Sequence, residues 1–170
     1  MKQVTKIVGA VALLMLTSMA ANASPLYWNF NYTGSGVTAS GLLTTDSTLN
    51  GGAYLITDIS GQRNGESILA LAPAGTVNTT GGSLFSDNLL FLNAPYLDTA
   101  GVTFQTLSGY YNLCYAGPGC GESGYQDING QPIIFTPVQL TITAVPEPAT
   151  LSLLGLGLIG LVALRRKQTA

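Results

Sequence analysis

The chain has 170 residues, of which 46% are hydrophobic and only 8% are charged. This length allows one domain once the terminal segments are set aside, and the hydrophobic fraction is too high for a disordered chain. The absence of histidine removes the commonest general base and metal ligand. Between Ser24 and Pro146 one basic residue, Arg63, accompanies seven acidic ones, giving a formal charge of −6. We expect no nucleic-acid partner, because phosphate binding needs a basic patch.

Residues 1–23 predict a secretory signal peptide. Two lysines among the first six residues supply its positive end, and Ile7 to Leu16 supplies its apolar stretch. Ala21, Asn22 and Ala23 then fit the small-x-small cleavage pattern, which places the mature start at Ser24. A retained membrane anchor or a buried helix is the alternative, but charge, length and cleavage site all agree with a cleaved signal.

Residues 24–144 predict an all-β ectodomain, an antiparallel β-sandwich or open barrel of about seven or eight short strands. The segments Leu26–Tyr32 and Val138–Thr143 alternate strictly between apolar and polar residues, as half-buried strands do. Since these first and last strands alternate most strongly, we expect them to pair and to bring both ends of the domain together. Further strands are predicted at Val37–Thr44, Ala53–Ile59, Ser67–Ala72, Asn88–Leu92, Val102–Leu107 and Tyr110–Tyr115.

Glycine-containing turns separate the predicted strands. Asn64-Gly65 is the clearest tight hairpin turn, because both central residues of that turn type adopt positive φ. The segments Pro73–Ser83 and Ala116–Gln126 are rich in glycine and polar residues. We expect both to be surface loops.

The chain has two cysteines, Cys114 and Cys120, which enclose five residues. In an exported protein such a pair predicts a disulfide, worth about 2 kcal/mol for so small a loop. Free thiols and a metal pair are the alternatives, but two thiols without histidine make only half of a zinc site.

The seven acidic residues raise the alternative of a hydrolase, since glycosidic cleavage needs two carboxylates flanking the bond. Asp58 and Asp127, however, each precede glycine-containing pairs, where a structural role in turns is expected. The run Asp127–Gly130 resembles a fragment of a calcium loop but lacks its further acids. We therefore expect no catalytic residue, no cofactor and no metal site, with a calcium-binding module as an alternative function.

Aromatic residues raise the further alternative of a carbohydrate-binding module, because flat rings stack on sugar faces. Strands also favour aromatic residues for packing, and half of each alternating strand must be buried. Tyr27, Tyr110 and Tyr111 are the candidates for exposed rings.

The chain ends in "VPEPATLSLLGLGLIGLVALRRKQ", which starts at Val145. Pro146 and Pro148 favour an extended segment around Glu147. The uncharged run 149–164 predicts a membrane helix of about 24 Å, shorter than the ~30 Å hydrocarbon core, which it can still cross by local thinning of the bilayer. The basic cluster that follows should stay cytoplasmic, so that residues 24–146 lie across the membrane. It consists of Arg165, Arg166 and Lys167.

This three-part segment, residues 145–170, resembles the PEP-CTERM sorting signal, with Val145, Pro146, Glu147 and Pro148 as its sorting motif. The resemblance implies export through the inner membrane of a Gram-negative bacterium, transient anchoring, and processing by an exosortase. It also implies delivery to the cell surface or the extracellular matrix. An accidental proline pair beside a plain membrane tether is the alternative.

The segments "GVTASGLLTTD", "YLITDISGQRNG" and "DNLLF…LDTAGVTF" resemble the short β-rich ectodomains of PEP-CTERM proteins, which implies no reaction or ligand. We expect a non-enzymatic surface or matrix protein with a structural or adhesive role in exopolysaccharide or biofilm. Extracellular polysaccharide is then a candidate partner beside the exosortase. A secreted hydrolase is the less favoured alternative.

Overall fold

The computed structural model describes residues 24–146, and this part of the chain is all-β, as predicted. The predicted signal peptide, the membrane helix at 149–164 and the basic tail at 165–167 lie outside the described residues. Twelve strands are present in the described part, more than the seven or eight expected. They are Leu26–Gly34 (β1), Val37–Thr45 (β2), Ala53–Arg63 (β3), Glu66–Ser67 (β4), Ala70–Leu71 (β5), Gly75–Thr79 (β6), Gly82–Ser86 (β7), Leu89–Phe91 (β8), Val102–Thr106 (β9), Gly109–Gly117 (β10), Gly121–Gly130 (β11) and Ile133–Ala144 (β12).

Ten of these strands form one curled antiparallel sheet in the order β4-β3-β2-β1-β12-β11-β10-β9-β5, with β8 added to β3. Its two edges, β4 and β5, are neighbours along the chain. The residues between them hydrogen-bond to both sides, since Ile68 N–H donates to the Gly61 carbonyl on β3 and Leu69 N–H to the Gln105 carbonyl on β9. The sheet therefore curls into a half-barrel, which agrees with the predicted open barrel.

Pairing of the first and last strands is confirmed. β1 and β12 run antiparallel from Trp28 opposite Ala144 to Gly34 opposite Val138. The predicted alternation also holds, because Phe30, Tyr32, Val138 and Ile142 are buried while Asn31, Gln139 and Thr141 are exposed. The apolar face of each strand covers the inside of the curl, and the polar face meets solvent.

Because neighbouring strands are antiparallel, the loops that connect them lie at two opposite ends of the half-barrel. We call the end where β1 begins and β12 stops the basal end. The β2–β3 loop (46–52), the β8–β9 loop (92–101) and the β10–β11 turn (118–120) also lie there. The opposite, apical end contains the Asn64-Gly65 turn, in which both residues have positive φ, 50° and 82°, as predicted.

The core occupies the inside of the curl, with Tyr32, Phe104 and Leu97 among its fully buried members. A second cluster lies on the opposite face of β10 and β11, where Leu84 of β7 packs with Ile128 and with both cysteines. The expected loop at Pro73–Ser83 is therefore wrong. Most of it forms the β6–β7 hairpin, which buries Leu84 against the outside of the sheet.

The expected loop at Ala116–Gln126 is also wrong. β10 continues to Gly117 and β11 starts at Gly121, so that only a short turn separates them. The glycines of this segment indicated a loop, but they lie in the turn and in the two strands that it joins, where Gly117 pairs with Gly121. A bulge between Tyr115 and Gly117 accommodates the irregular part.

A buried ion pair lies inside the curl, and the position of its acidic member, Asp127, corrects a third prediction. Asp127 is fully buried in the middle of β11 instead of occupying a turn. Its carboxylate accepts hydrogen bonds from Arg63 Nε at 2.9 Å and Nη2 at 2.7 Å, and from the Tyr32 hydroxyl. The guanidinium also lies 3.7 Å from the centre of the Tyr111 ring. These contacts satisfy both charges away from water.

Asp58, the other predicted turn residue, lies within β3 opposite Thr44, and the strand continues through Gly61 to Arg63. The Ser60-Gly61 pair after it is part of the strand and not a turn. Gly61 is opposite Gly41, where a Cβ on Gly41 would lie 1.9 Å from the Ser60 carbonyl oxygen. These glycines allow two strands to approach closely beneath the Phe30 ring.

Asp127→Ala removes one member of the buried pair and leaves the Arg63 charge without its partner. We expect the free energy of unfolding to fall by about 3–5 kcal/mol. Urea denaturation followed by circular dichroism measures the change. Asp58→Ala, an exposed acid in the same sheet, is the control and should change the value by less than about 0.5 kcal/mol. Equal effects of the two variants would contradict a central role of the pair.

Burial and the adjacent Asp127 carboxylate raise the pKa of Tyr32 well above its ordinary value. A group whose pKa is raised by folding contributes stability that is present below its unfolded-state pKa, near 10, and is lost as the pH rises further. We expect the unfolding free energy to decline above about pH 10, and to decline less steeply in Tyr32→Phe. Denaturation series at several alkaline pH values measure both slopes, and parallel curves would contradict this assignment.

Candidate functional site

The junction between the β-domain and the C-terminal segment is built from the ends of β1 and β12. Val145 N–H donates to the Tyr27 carbonyl at 2.8 Å, one step beyond the last strand pair. Pro146, which follows, has no N–H to donate and is exposed. The hydrogen-bonded ladder therefore includes Val145, and the chain leaves the domain at Pro146.

Side-chain contacts fix the basal half of β1 beside this junction. Trp28 Nε1 donates to Thr45 Oγ1 at 3.1 Å, and the indole lies 5.9 Å from the Tyr54 ring, centre to centre. Thr45 is fully buried at the end of β2. These contacts connect β1 to β2 and β3, so β12 ends against a fixed strand.

Residues 144–167 match the family model of the PEP-CTERM protein-sorting motif. The fold and the motif together define the class of protein. It is an all-β domain whose last strand leads directly into a sorting signal. The PEP-CTERM motif implies recognition by an exosortase, export, and transient anchoring in a membrane before release to the cell surface. The chain matches no curated protein and no solved structure.

The sorting motif starts within the folded domain. Its match begins at Ala144, the last residue of β12, so Val145 and Pro146 belong to both the motif and the junction. Ser24, the predicted mature N-terminus, is exposed two residues before β1 and thus lies at the same end. Ala21, Ala23, Glu147, Pro148 and the cluster Arg165, Arg166 and Lys167 lie outside the described residues, and their roles stay predictions.

The predicted disulfide is present. Cys114 and Cys120 are bonded, with their Cα atoms 5.9 Å apart, and both side chains are fully buried. The bond joins the end of β10 to the turn before β11 and forms part of the second hydrophobic cluster. It therefore fixes a basal turn against the outside of the sheet.

Replacing both cysteines by alanine should lower the unfolding free energy by about 2 kcal/mol, because the bond closes a small loop in the unfolded chain. Urea denaturation of the variant and of the wild type, each with and without a thiol reductant, measures the effect. The reductant should lower the unfolding free energy of the wild type by the same amount and leave that of the variant unchanged. A variant as stable as the oxidised protein would contradict this stabilising role.

Two acidic residues that the sequence did not connect lie together near the basal end. The Asp87 carboxyl interacts with that of Asp98, and burial and this neighbour raise the pKa of Asp87. Each carboxylate also accepts hydrogen bonds from backbone N–H groups. Asp98 Oδ1 accepts from Ala100 and Gly101. Asp87 Oδ1 accepts from Leu89. The acids thus stabilise two turns. Eleven positions separate them, and a sequence pattern does not indicate such a contact.

Asp87→Asn should stabilise the domain at neutral pH. Because folding raises the pKa of Asp87, its ionised form lowers the stability of the domain at pH values above its unfolded-state pKa, near 3.9. An asparagine amide keeps the hydrogen bond from Leu89 N–H but carries no charge. The midpoint of urea denaturation should therefore rise at pH 7 and approach that of wild type near pH 3. Asp58→Asn serves as the control, and an equal rise in it would contradict the pairing.

Residues 24–146 contain no group of three or more histidine, cysteine or acidic side chains that could hold a metal ion. Within the same range no helix is long and apolar enough to span a membrane.

The three tyrosines predicted as exposed differ in their surroundings. Tyr27 is 44% exposed, as expected, and Tyr110 is half-buried. Tyr111 is buried beneath the Arg63 guanidinium, which corrects that prediction. Exposed rings occur elsewhere, because Phe85 and Phe135 line a groove of about 340 Å³ between β7 and β12. Phe85 lies on the β6–β7 hairpin, which the sequence pattern did not predict.

Proposed function

We propose that the chain is an exosortase substrate whose β-domain is delivered intact to the cell surface or the extracellular matrix of a Gram-negative bacterium. The hydrogen bond from Val145 N–H to the Tyr27 carbonyl carries this proposal. It places the end of the folded domain inside the matched motif. A cut at or near Pro146-Glu147-Pro148 would then remove the anchor and leave every strand of the described domain complete.

The role of the released domain is structural or adhesive, within exopolysaccharide or biofilm. Its composition supports this role, because residues 24–146 contain one basic residue, and that residue is in a buried ion pair. Where β1 and β12 pair, the exposed residues between Asn29 and Thr33 and between Gln139 and Thr143 are asparagine, glutamine and threonine. Such an uncharged polar surface is compatible with hydrated polysaccharide. We propose that the domain is not an enzyme, since Asp127 pairs with Arg63 and the Asp87 and Asp98 carboxylates accept backbone hydrogen bonds.

Carbohydrate binding is the second candidate, and the groove between Phe85 and Phe135 favours it. The two side chains are 58% and 45% exposed, and flat rings of this kind stack on sugar faces. Titration calorimetry with the polysaccharide of the native host tests the idea. Phe85→Ala and Phe135→Ala should each abolish the heat of binding, while Leu107→Ala, exposed at the apical end, should retain it. Heats that are absent for the wild type would overturn this candidate.

Replacement of Pro146, Glu147 and Pro148 by alanine should stop processing, because the motif that the exosortase recognises is lost. Intact mass and C-terminal peptide mapping of protein from host membranes and medium measure the outcome. The wild type should end at residues 146–148 in the medium, and the variant should keep its tail in the membrane. Thr143→Ala, an exposed position on β12, is the control. Normal release of the triple variant would overturn the proposal.

A further inference from the structure

The basal end of the domain exposes a group of leucine side chains around the β2–β3 turn. Leu49, Leu55 and Leu92 are 48%, 43% and 46% exposed. Leu49 precedes the turn that the Asn50–Ala53 bridge closes. Leu55 lies on β3, and Leu92 follows β8, whose Phe91 pairs with Ala53. We call these three residues the basal leucines.

The β2–β3 hairpin extends past the point where the chain leaves the fold. Leu26, at the level of Pro146, pairs with Thr45, and Thr45 pairs in turn with Ile56. From Ile56 the hairpin continues for three more residues to Ala53 before it turns. At about 3.3 Å per residue, its tip lies ~10 Å beyond the exit point along the strand direction.

The predicted membrane helix begins within about the same distance of the exit point. Three residue steps separate Pro146 from Ala149, where the apolar run starts, and a fully extended chain covers ~10 Å in three steps. The run 149–164 is also about 6 Å shorter than the hydrocarbon core, so its ends are drawn towards the bilayer. A domain on so short a tether must lie against the membrane surface.

We propose that the basal leucines enter the interfacial region of the phospholipid bilayer while the C-terminal segment anchors the chain. This inference rests on the membrane-anchored stage of the proposed function. Apolar contact must drive the insertion, because the loop 46–52 and the loop 92–101 contain acidic but no basic residues. The contact holds the junction at the membrane surface, in reach of a membrane-embedded processing enzyme. Release of the anchor then frees the basal end.

Depth-dependent fluorescence quenching tests this contact without processing. The full-length chain is reconstituted, through its own C-terminal segment, into phosphatidylcholine vesicles that contain brominated acyl chains. Trp28→Phe removes the natural tryptophan, and Leu49→Trp or Leu92→Trp then adds one at the basal end. Leu107→Trp, at a position 84% exposed at the apical end, is the matched control. All three substitutions put the same side chain on the domain surface.

Bromolipid should quench the two basal tryptophans at least about twofold more strongly than the apical one, and aqueous acrylamide should quench them less. Quenching equal to that of the apical control would overturn the proposal. Basal tryptophans that are protected only when exosortase shares the vesicle would also overturn it and assign the surface to the enzyme. Circular dichroism shows whether each variant folds. A variant that unfolds is replaced by the corresponding substitution at Leu55, compared with the same apical control.

The vesicle measurement and the processing measurement are independent. Failure of the lipid contact would leave cleavage of the wild-type chain unaffected in the host. Failure of the proposed function would appear as an uncut chain by mass, whatever the bilayer quenching shows.

Discussion

The hydrogen bonds between β1 and β12 are the constraint on which the arrangement of the molecule depends. They join the two ends of the domain, place strands from both halves of the sequence in one sheet, and bring residues 24–26 beside Val145. Without this pairing the sheet would separate into two smaller sheets with exposed edges, which are aggregation-prone. The same pairing defines the basal end, so it determines which loops lie nearest to the sorting motif.

The second constraint is the ion pair inside the curl. Arg63 comes from β3 and Asp127 from β11, with Tyr32 and Tyr111 of two further strands around them. A buried pair of this kind adds little net stability over apolar packing, but it penalises arrangements that leave either charge unpaired. It therefore favours one register of four strands over alternatives. It also involves the one basic residue of the segment 24–146, so the charges left on the surface of this segment are acidic.

The sorting motif begins where the folded domain ends, so the two constraints also bear on sorting. The matched segment begins at the last residue of β12, and the hydrogen-bonded ladder continues one residue further, to Val145. With a long linker, the domain could move independently of the membrane anchor. Here three residue steps separate Pro146 from the predicted membrane helix, and the described start of the motif, Ala144 to Pro146, lies at the basal end with the loops. Folding, anchoring and release therefore act on the same end of the protein.

The sequence by itself determined the features that depend on neighbouring residues. Alternation predicted the faces of β1 and β12, the Asn64-Gly65 pair predicted a turn with positive φ, and the spacing of Cys114 and Cys120 predicted their bond. The C-terminal motif was readable because its three parts follow one another along the chain. Tertiary structure alone decided the burial of Asp127, the contact of Asp87 with Asp98, and the β6–β7 hairpin. Arg63 and Tyr32 are 64 and 95 positions from Asp127, and only the curled sheet brings them together. A residue beside a turn pattern can thus become a buried charge, because its environment is set by strands that its local sequence does not specify.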